Sequence, residues 1–366
     1  MGLDDAADPR RLTHSIRPDD RWRRRLEFRI VFLSVGILAG GIPLAAQDRV
    51  TYIPAEAESP VIAVGEVLDY TGRELILSTL NGHQHLPSDS VTSIETTYSP
   101  SHLQGISQFQ QGLTDDAILS FQKAMEQERR RWVQREIRSW LMRCAMRKGD
   151  LRGALREFQE IIQTDPQTRF WGIAPLIWSP MAVSESIREE ANGQLKSDHP
   201  GIQLIAASLL LLDPAYGEAA ETQLNYLSRN ANPIISNYAR AQLWRVTLAG
   251  QSVTDDALSS WRSSIEHLKP ELRSGPQYLL ARGHDARGEL RLAAAEALWI
   301  PLIYSDHELL ASRALYDAAE WLSRSGAIEE AHRLKQGLLV KYPWSREASQ
   351  VRSERNQPGN STQPPP

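Results

Sequence analysis

A glycine followed five positions later by an alanine recurs along this chain, at Gly112/Ala117, Gly149/Ala154, Gly288/Ala293 and Gly326/Ala331. Each alanine opens an amphipathic stretch, and Ala220 and Ala257 hold the same place without the glycine. The alanines are spaced by 37, 66, 37, 36 and 38 residues, and the long interval reads as two periods of 33 with a divergent unit near 170–200. A period of that size restricts the chain to stacked supersecondary units, here a pair of helices each. Glycine lets the turn between the helices adopt φ > 0, and alanine lets them approach closely. A large apolar residue one turn on (Phe121, Phe158, Leu224, Trp261, and the pair Leu334/Leu338) is placed to pack into the next unit. Thr114-Asp115-Asp116-Ala117 and Thr254-Asp255-Asp256-Ala257 supply a cap and acidic residues at helix starts. Pro166, Pro270 and Pro343 end units.

These residues resemble the tetratricopeptide repeat, a unit of about 34 residues with Gly, Ala, aromatic, Ala and Pro at fixed offsets. Gly105, Gly112, Ala117, Phe121 and Ala124 follow its pattern, as do Gly149, Ala154, Phe158 and Pro166, and Ala319, Gly326, Ala331 and Pro343. The resemblance covers 101–165 and 271–345, weakens across 199–270 and is nearly absent across 167–198. It implies a mainly α fold, a tetratricopeptide-like α-solenoid of about six or seven helix pairs over 101–345, with an irregular α-solenoid still open for the middle.

Two different segments precede the repeats. Residues 1–46 hold eight Arg against six acidic residues. Five of the arginines lie in 21–29, ahead of an uncharged apolar run from Ile30 to Leu44. This order is that of a secretory signal cut after Ala46, or of an uncleaved anchor holding 30–46 in a membrane with the arginines inside. The chain is thus expected to be exported, to the periplasm or another extracytoplasmic compartment, or anchored to the cytoplasmic membrane. In 50–98 the runs Val61–Tyr70, Glu74–Leu80, His83–Leu86 and Val91–Tyr98 are separated by Thr71-Gly72, Asn81-Gly82 and Pro87-Ser88. They read as three or four short strands of a small SH3-like or Sm-like β module. The tail from about residue 353, ending in three prolines, reads as disordered.

Candidate binding residues come from the resemblance, which implies a concave face lined 18, 15, 11 and 8 residues before each alanine. Those positions are Glu136, Ser139, Arg143 and Met146 in the second unit, Gly275, Tyr278, Arg282 and Asp285 in the fifth, and Arg313, Tyr316, Glu320 and Ser323 in the last. Arg143, Tyr278, Arg282, Arg313, Tyr316 and Glu320 have the composition of interface anchors. The family's Lys/Asn clamp is replaced by His102 and Ile106. The aromatic stretch Phe170–Pro180 either fills a gap between units or exposes Trp171 and Trp178 as a docking edge. The ten basic residues between Arg129 and Arg156 read as a solvated, salt-bridged face around the apolar stripe of Trp132, Ile137 and Cys144.

Chemistry is sparse. There is no phosphate-binding glycine loop and no nucleophile elbow, and His307-Glu308 has Ala311 where a zinc helix needs its second His. His83 and His85 share a strand face with no third ligand nearby, so no metal or other cofactor is expected. The body beyond residue 46 is mildly acidic, which gives no reason to expect nucleic acid as a partner. The expectation is a scaffold or adaptor, not an enzyme, with a protein partner on the helical groove. The alternative gives function to the β module, as a binder of a peptide strand or a polysaccharide.

Overall fold

The structure is a computed structural model that describes residues 47–57 and 59–356. The signal or anchor segment, its Ala46 cleavage site and residues 357–366 of the tail lie outside the described residues. Among the described residues no helix is long and apolar enough to cross a membrane. They form a five-stranded antiparallel sheet followed by fourteen α-helices, and the chain is mainly helical.

The strands are β1 (Asp48–Tyr52), β2 (Val61–Tyr70), β3 (Glu74–Thr79), β4 (Gly82–Pro87) and β5 (Val91–Glu95), in the order β4-β3-β2-β1-β5. The sheet thus has one strand more than the sequence reading placed. β1 begins directly after the apolar segment and pairs with both β2 and β5. Asn81-Gly82 makes the β3–β4 hairpin, with Gly82 at φ 109°. The β2–β3 register shifts between Val67 and Asp69. At that bulge the Val67 amide donates to the buried Asp48 carboxylate (2.8 Å) and the Val67 carbonyl accepts from Trp132 Nε1 (3.1 Å).

The first four helices are α1 (Pro100–Gln110), α2 (Thr114–Gln127), α3 (Arg131–Arg147) and α4 (Leu151–Thr164). A 3-10 turn (Arg169–Ile173) and extended chain lead to α5 (Glu185–Gln194), α6 (Pro200–Leu210), α7 (Gly217–Leu227), α8 (Pro233–Ala249) and α9 (Asp255–Glu266). The remainder is α10 (Ser274–Ala286), α11 (Leu290–Ile303), α12 (Glu308–Arg324), α13 (Ile328–Lys341) and α14 (Arg346–Asn356). Gly112, Gly149, Gly288 and Gly326 all have positive φ. In each turn the glycine amide bonds the carbonyl three residues back and the next amide the carbonyl five back, as in Gly112→Phe109 and Leu113→Gln108. Close approach is visible at Gly105, where a Cβ would stand 2.7 Å from the Phe121 ring of α2.

Three regions depart from the sequence reading. Between α4 and α6 there is no divergent helix pair but a 3-10 turn, extended chain and the single helix α5. Between α8 and α9 the rings of Trp244 and Trp261 stack at 4.9 Å and stand in for close backbone approach. That turn has the same hydrogen bonds as the others, but Gln251 occupies the left-handed position at φ 51°. At the C-terminus, residues 346–356 are a helix packed on α12 and α13, so the start of the expected disordered tail is ordered. Its apolar contacts, Ala348 and Val351, cover the last pair.

One side chain joins early helices to late ones. Arg147 of α3 lies over the rings of Phe109 (3.4 Å) and Trp344 (4.2 Å), bonds the Phe109 carbonyl and pairs with Glu308 of α12 at 2.6 Å. A left-handed conformation costs a residue with a Cβ on the order of 1 kcal/mol relative to glycine. Gln251→Gly is therefore expected to raise stability by about 1 kcal/mol, read from the denaturant midpoint; an unchanged or lowered midpoint would contradict the role given to this turn.

Candidate functional site

The first helices of successive pairs pack on one another, α6 on α8, α8 on α10 and α10 on α12, and many polar side chains on the first helices are bonded within the chain. Glu136 on α3 accepts from Tyr98 Oη (3.1 Å) and pairs with Arg169 (3.4 Å). Trp171 meets the ring of Phe158 on α4 at 5.0 Å and that of Tyr238 on α8 at 6.3 Å, and Tyr238 also meets Trp178 at 5.3 Å, all edge-on. Trp178 lies flat on Gly275 of α10, where a Cβ would run into its ring. With exposures of 1% and 5%, Trp171 and Trp178 form a wedge between helices, which agrees with the gap-filling alternative of the two that the sequence leaves open: rings this large stay buried where helices offer matching apolar surface.

The proposed anchors divide accordingly. Tyr278 is fully buried and donates to Asp317 at 2.5 Å, and Arg313 bonds the same carboxylate at 3.0 Å. Tyr316 donates to Glu354 of α14 (2.9 Å), and Lys335 joins Glu320 (2.7 Å) to Glu354 (2.9 Å). Tyr278 and Tyr316 are thus committed within the chain, joining α10 to α12 and α12 to α14, whereas Arg313 and Glu320 are paired but keep 31% and 39% of their side-chain surface exposed. Arg143 stacks on Trp140 at 4.8 Å, and its buried Nε has no partner. Burial holds its pKa below the ordinary range, against the field of Asp306 and Glu308. The basic cluster is also less solvated than its composition implies. Arg135 is buried and pairs with Asp69 on β2, Arg147 is buried in its clasp, and Arg138 pairs with Glu157 at 2.8 Å.

A cleft of about 550 Å³ lies between residues 177–183 and helices α6, α8 and α10. Ile177, Trp178, Leu209, Leu248 and Leu279 make its apolar walls, with the exposed Met181 and Leu212 at its rim. Arg282, a residue singled out from the sequence, lines it: its buried Nε has no hydrogen bond and its nearest acid, Asp285, is 3.9 Å away. Arg188 lines it as well, neutralised by Asp213 at 3.0 Å.

The fourth polar group of the cleft, Arg245, was not singled out from the sequence. It is 8% exposed and bonds through Nη1 alone, to the Ser208 carbonyl (2.8 Å) and Gln242 Oε1 (2.6 Å). Burial pushes its pKa down to about 10, so it stays charged at neutral pH. The signal was present: Tyr238, Gln242 and Arg245 are spaced four and three apart, which puts the arginine on the core face of α8.

Among the described residues no group of three or more His, Cys, Asp or Glu is placed to hold a metal. His85 is bonded to Glu74 (2.9 Å), and Cys144 is buried, its thiol pushed up to about 12 by that burial. No family model, no curated protein and no solved structure matches the chain.

His307 caps α12, its Nδ1 accepting from the Leu310 amide at 3.3 Å. Burial, helped by the charge of Arg143, pushes its pKa down to about 4. Above pH ~6.5 the ring is neutral in both folded and unfolded chains. As pH falls from there toward about 4 the unfolded chain binds a proton that the folded one refuses, so stability drops across that window. His307→Asn keeps a capping acceptor without a titrating group. Urea unfolding at a series of pH values is expected to show a shallower loss for the variant between pH ~6.5 and ~4; parallel curves would refute the assignment.

Proposed function

We propose that this chain is a non-catalytic scaffold, exported or anchored at a membrane by residues 30–46, which holds a segment of a protein partner in the cleft. The observation that carries the reading is a cleft with apolar walls and two guanidinium groups in its lining: Arg245, which bonds within the chain through Nη1 alone, and Arg282, whose buried Nε has no hydrogen bond. Unpaired donors beside apolar surface are what an interface leaves for its partner to complete. A tetratricopeptide-like frame is part of the proposal. It is supported by the four glycine turns and by the burial of Ala117, Ala154, Ala220, Ala293 and Ala331 against their neighbouring helices. For the sheet, the strand order with β1 between β2 and β5 supports an SH3-like or Sm-like module.

A second reading rests on the outer face of β2, where Ile62, Val64 and Leu68 are exposed. There the sheet would bind a peptide strand or a polysaccharide, with the helices as support. Deleting the sheet would uncover Trp132 and Arg135, so point variants separate the two. In recovery of co-purifying proteins by the tagged full chain, Met181→Glu with Leu212→Glu is expected to abolish capture of the specific partner. Ile62→Ser with Val64→Ser is expected to leave it intact. The opposite pattern would move the function to the sheet.

A further inference from the structure

The buried arginines of this fold have counter-charges within the chain, with one exception. Arg135 has Asp69, Arg147 has Glu308, and Arg143 lies in the field of Asp306 and Glu308. Among the described residues no carboxylate is paired with Arg245, and burial is the whole cause of its lowered pKa. The polar groups around it are already committed. The Ile177 amide donates to Ser208 Oγ (2.8 Å), Ser208 Oγ donates to Gln242 Oε1 (3.0 Å), and that oxygen also takes the Arg245 bond. Arg245 bonds within the chain through Nη1 alone, and two buried donors of the same surroundings have no hydrogen-bond partner: Nε2 of Gln242 and, on the cleft wall, Nε of Arg282. An uncompensated buried cation is costly, and an anion in reach of it removes that cost.

We propose that Arg245 is the seat for a carboxylate in the cleft, and that the partner segment crosses it as an apolar stretch interrupted by one acidic side chain. This rests on the cleft being the partner site. A guanidinium presents two parallel N–H donors that match a carboxylate. A dianion such as phosphate fits less well, because the third arginine of the lining, Arg188, is cancelled by Asp213. The walls of Trp178, Leu209, Leu248 and Leu279 suit the flanking apolar side chains.

The test uses the full chain and three probes, titrated by calorimetry: a capped pentapeptide with a central glutamate between leucines, its glutamine counterpart, and octanoate. The glutamate peptide is expected to bind at least about tenfold more tightly than the glutamine peptide. Arg245→Met is expected to erase that preference without lowering the melting temperature, since it removes an unpaired buried charge, and Arg245→Lys to keep part of it. Equal affinity for the two peptides, or a preference that survives Arg245→Met, overturns the carboxylate seat. A melting temperature that falls while the preference persists overturns it too, as a purely structural arginine. Octanoate binding that depends on Arg245, with neither peptide bound, overturns the peptide as the source of the carboxylate. If the peptides bind equally but Met181→Glu with Leu212→Glu still abolishes partner capture, the seat fails and the scaffold stands. If the peptide preference holds but partner capture is unaffected, the scaffold reading fails instead.

Discussion

The aromatic wedge of Trp171, Tyr238 and Trp178 decides what kind of object this fold is. In a stack of paired helices a groove stays open only as long as nothing fills it. Here a segment of irregular chain sets two tryptophan rings against Tyr238 and ties α4, α8 and α10 into one core. Two glycines make the fit: Gly275 yields its face to Trp178, and Gly172 lets the turn press against the Glu271 carbonyl. Large aromatic surfaces dominate the energetics of such contacts. The cleft beside the wedge inherits its rigidity, because Trp178 is both core residue and cleft wall.

How much of this was legible in the sequence follows from the range of the interactions. The helix turns were, because a glycine at φ > 0 and an alanine at a close contact are local demands that recur with the period. The hairpin at Asn81-Gly82 was, for the same reason. β1 was not: it is a five-residue strand, and although β2 follows nine residues later, its other partner β5 lies some forty residues on. α14 was hidden by its polar composition, since only Ala348 and Val351 reach the core. The site was legible in part. Offsets from the repeat picked out Arg282, which lines the cleft. The same offsets could not tell that Tyr278, Arg313, Tyr316 and Glu320 spend their polar groups on Asp317, Glu354 and Lys335. The Tyr278–Asp317 and Tyr316–Glu354 pairings span about forty residues and depend on how successive helices pack, which a one-dimensional pattern does not carry; the Arg313–Asp317 pair, four apart on one helix, is a local spacing.

The sheet is bound to the helices by the defect in its own ladder. The bulge on β2 frees the amide and carbonyl of Val67, and these are met by Asp48 from the sheet and Trp132 from α3. Arg135, one turn further along α3, takes Asp69 and the Tyr70 carbonyl (3.1 Å). The neighbouring turn at Gly72 bonds Asp165 at 2.9 Å, just ahead of the wedge. A small sheet has too little apolar area to stand by itself, and here it shares one hydrophobic cluster with α1, α2 and α3. The arginines that looked like a solvated face in the sequence are in part the means of this attachment.

The Arg147 clasp gives the molecule a mechanical character that linear stacks lack. In an open array each unit touches only its neighbours, so stability is close to a sum over units and one end can fray while the other stays folded. Arg147 joins α1, α3, α12 and the residue that leads into α14 in a single contact. Parting α12 from α3 therefore has to break the Arg147–Glu308 ion pair and the Trp344 ring contact together, so an early helix and a late one share one point of failure.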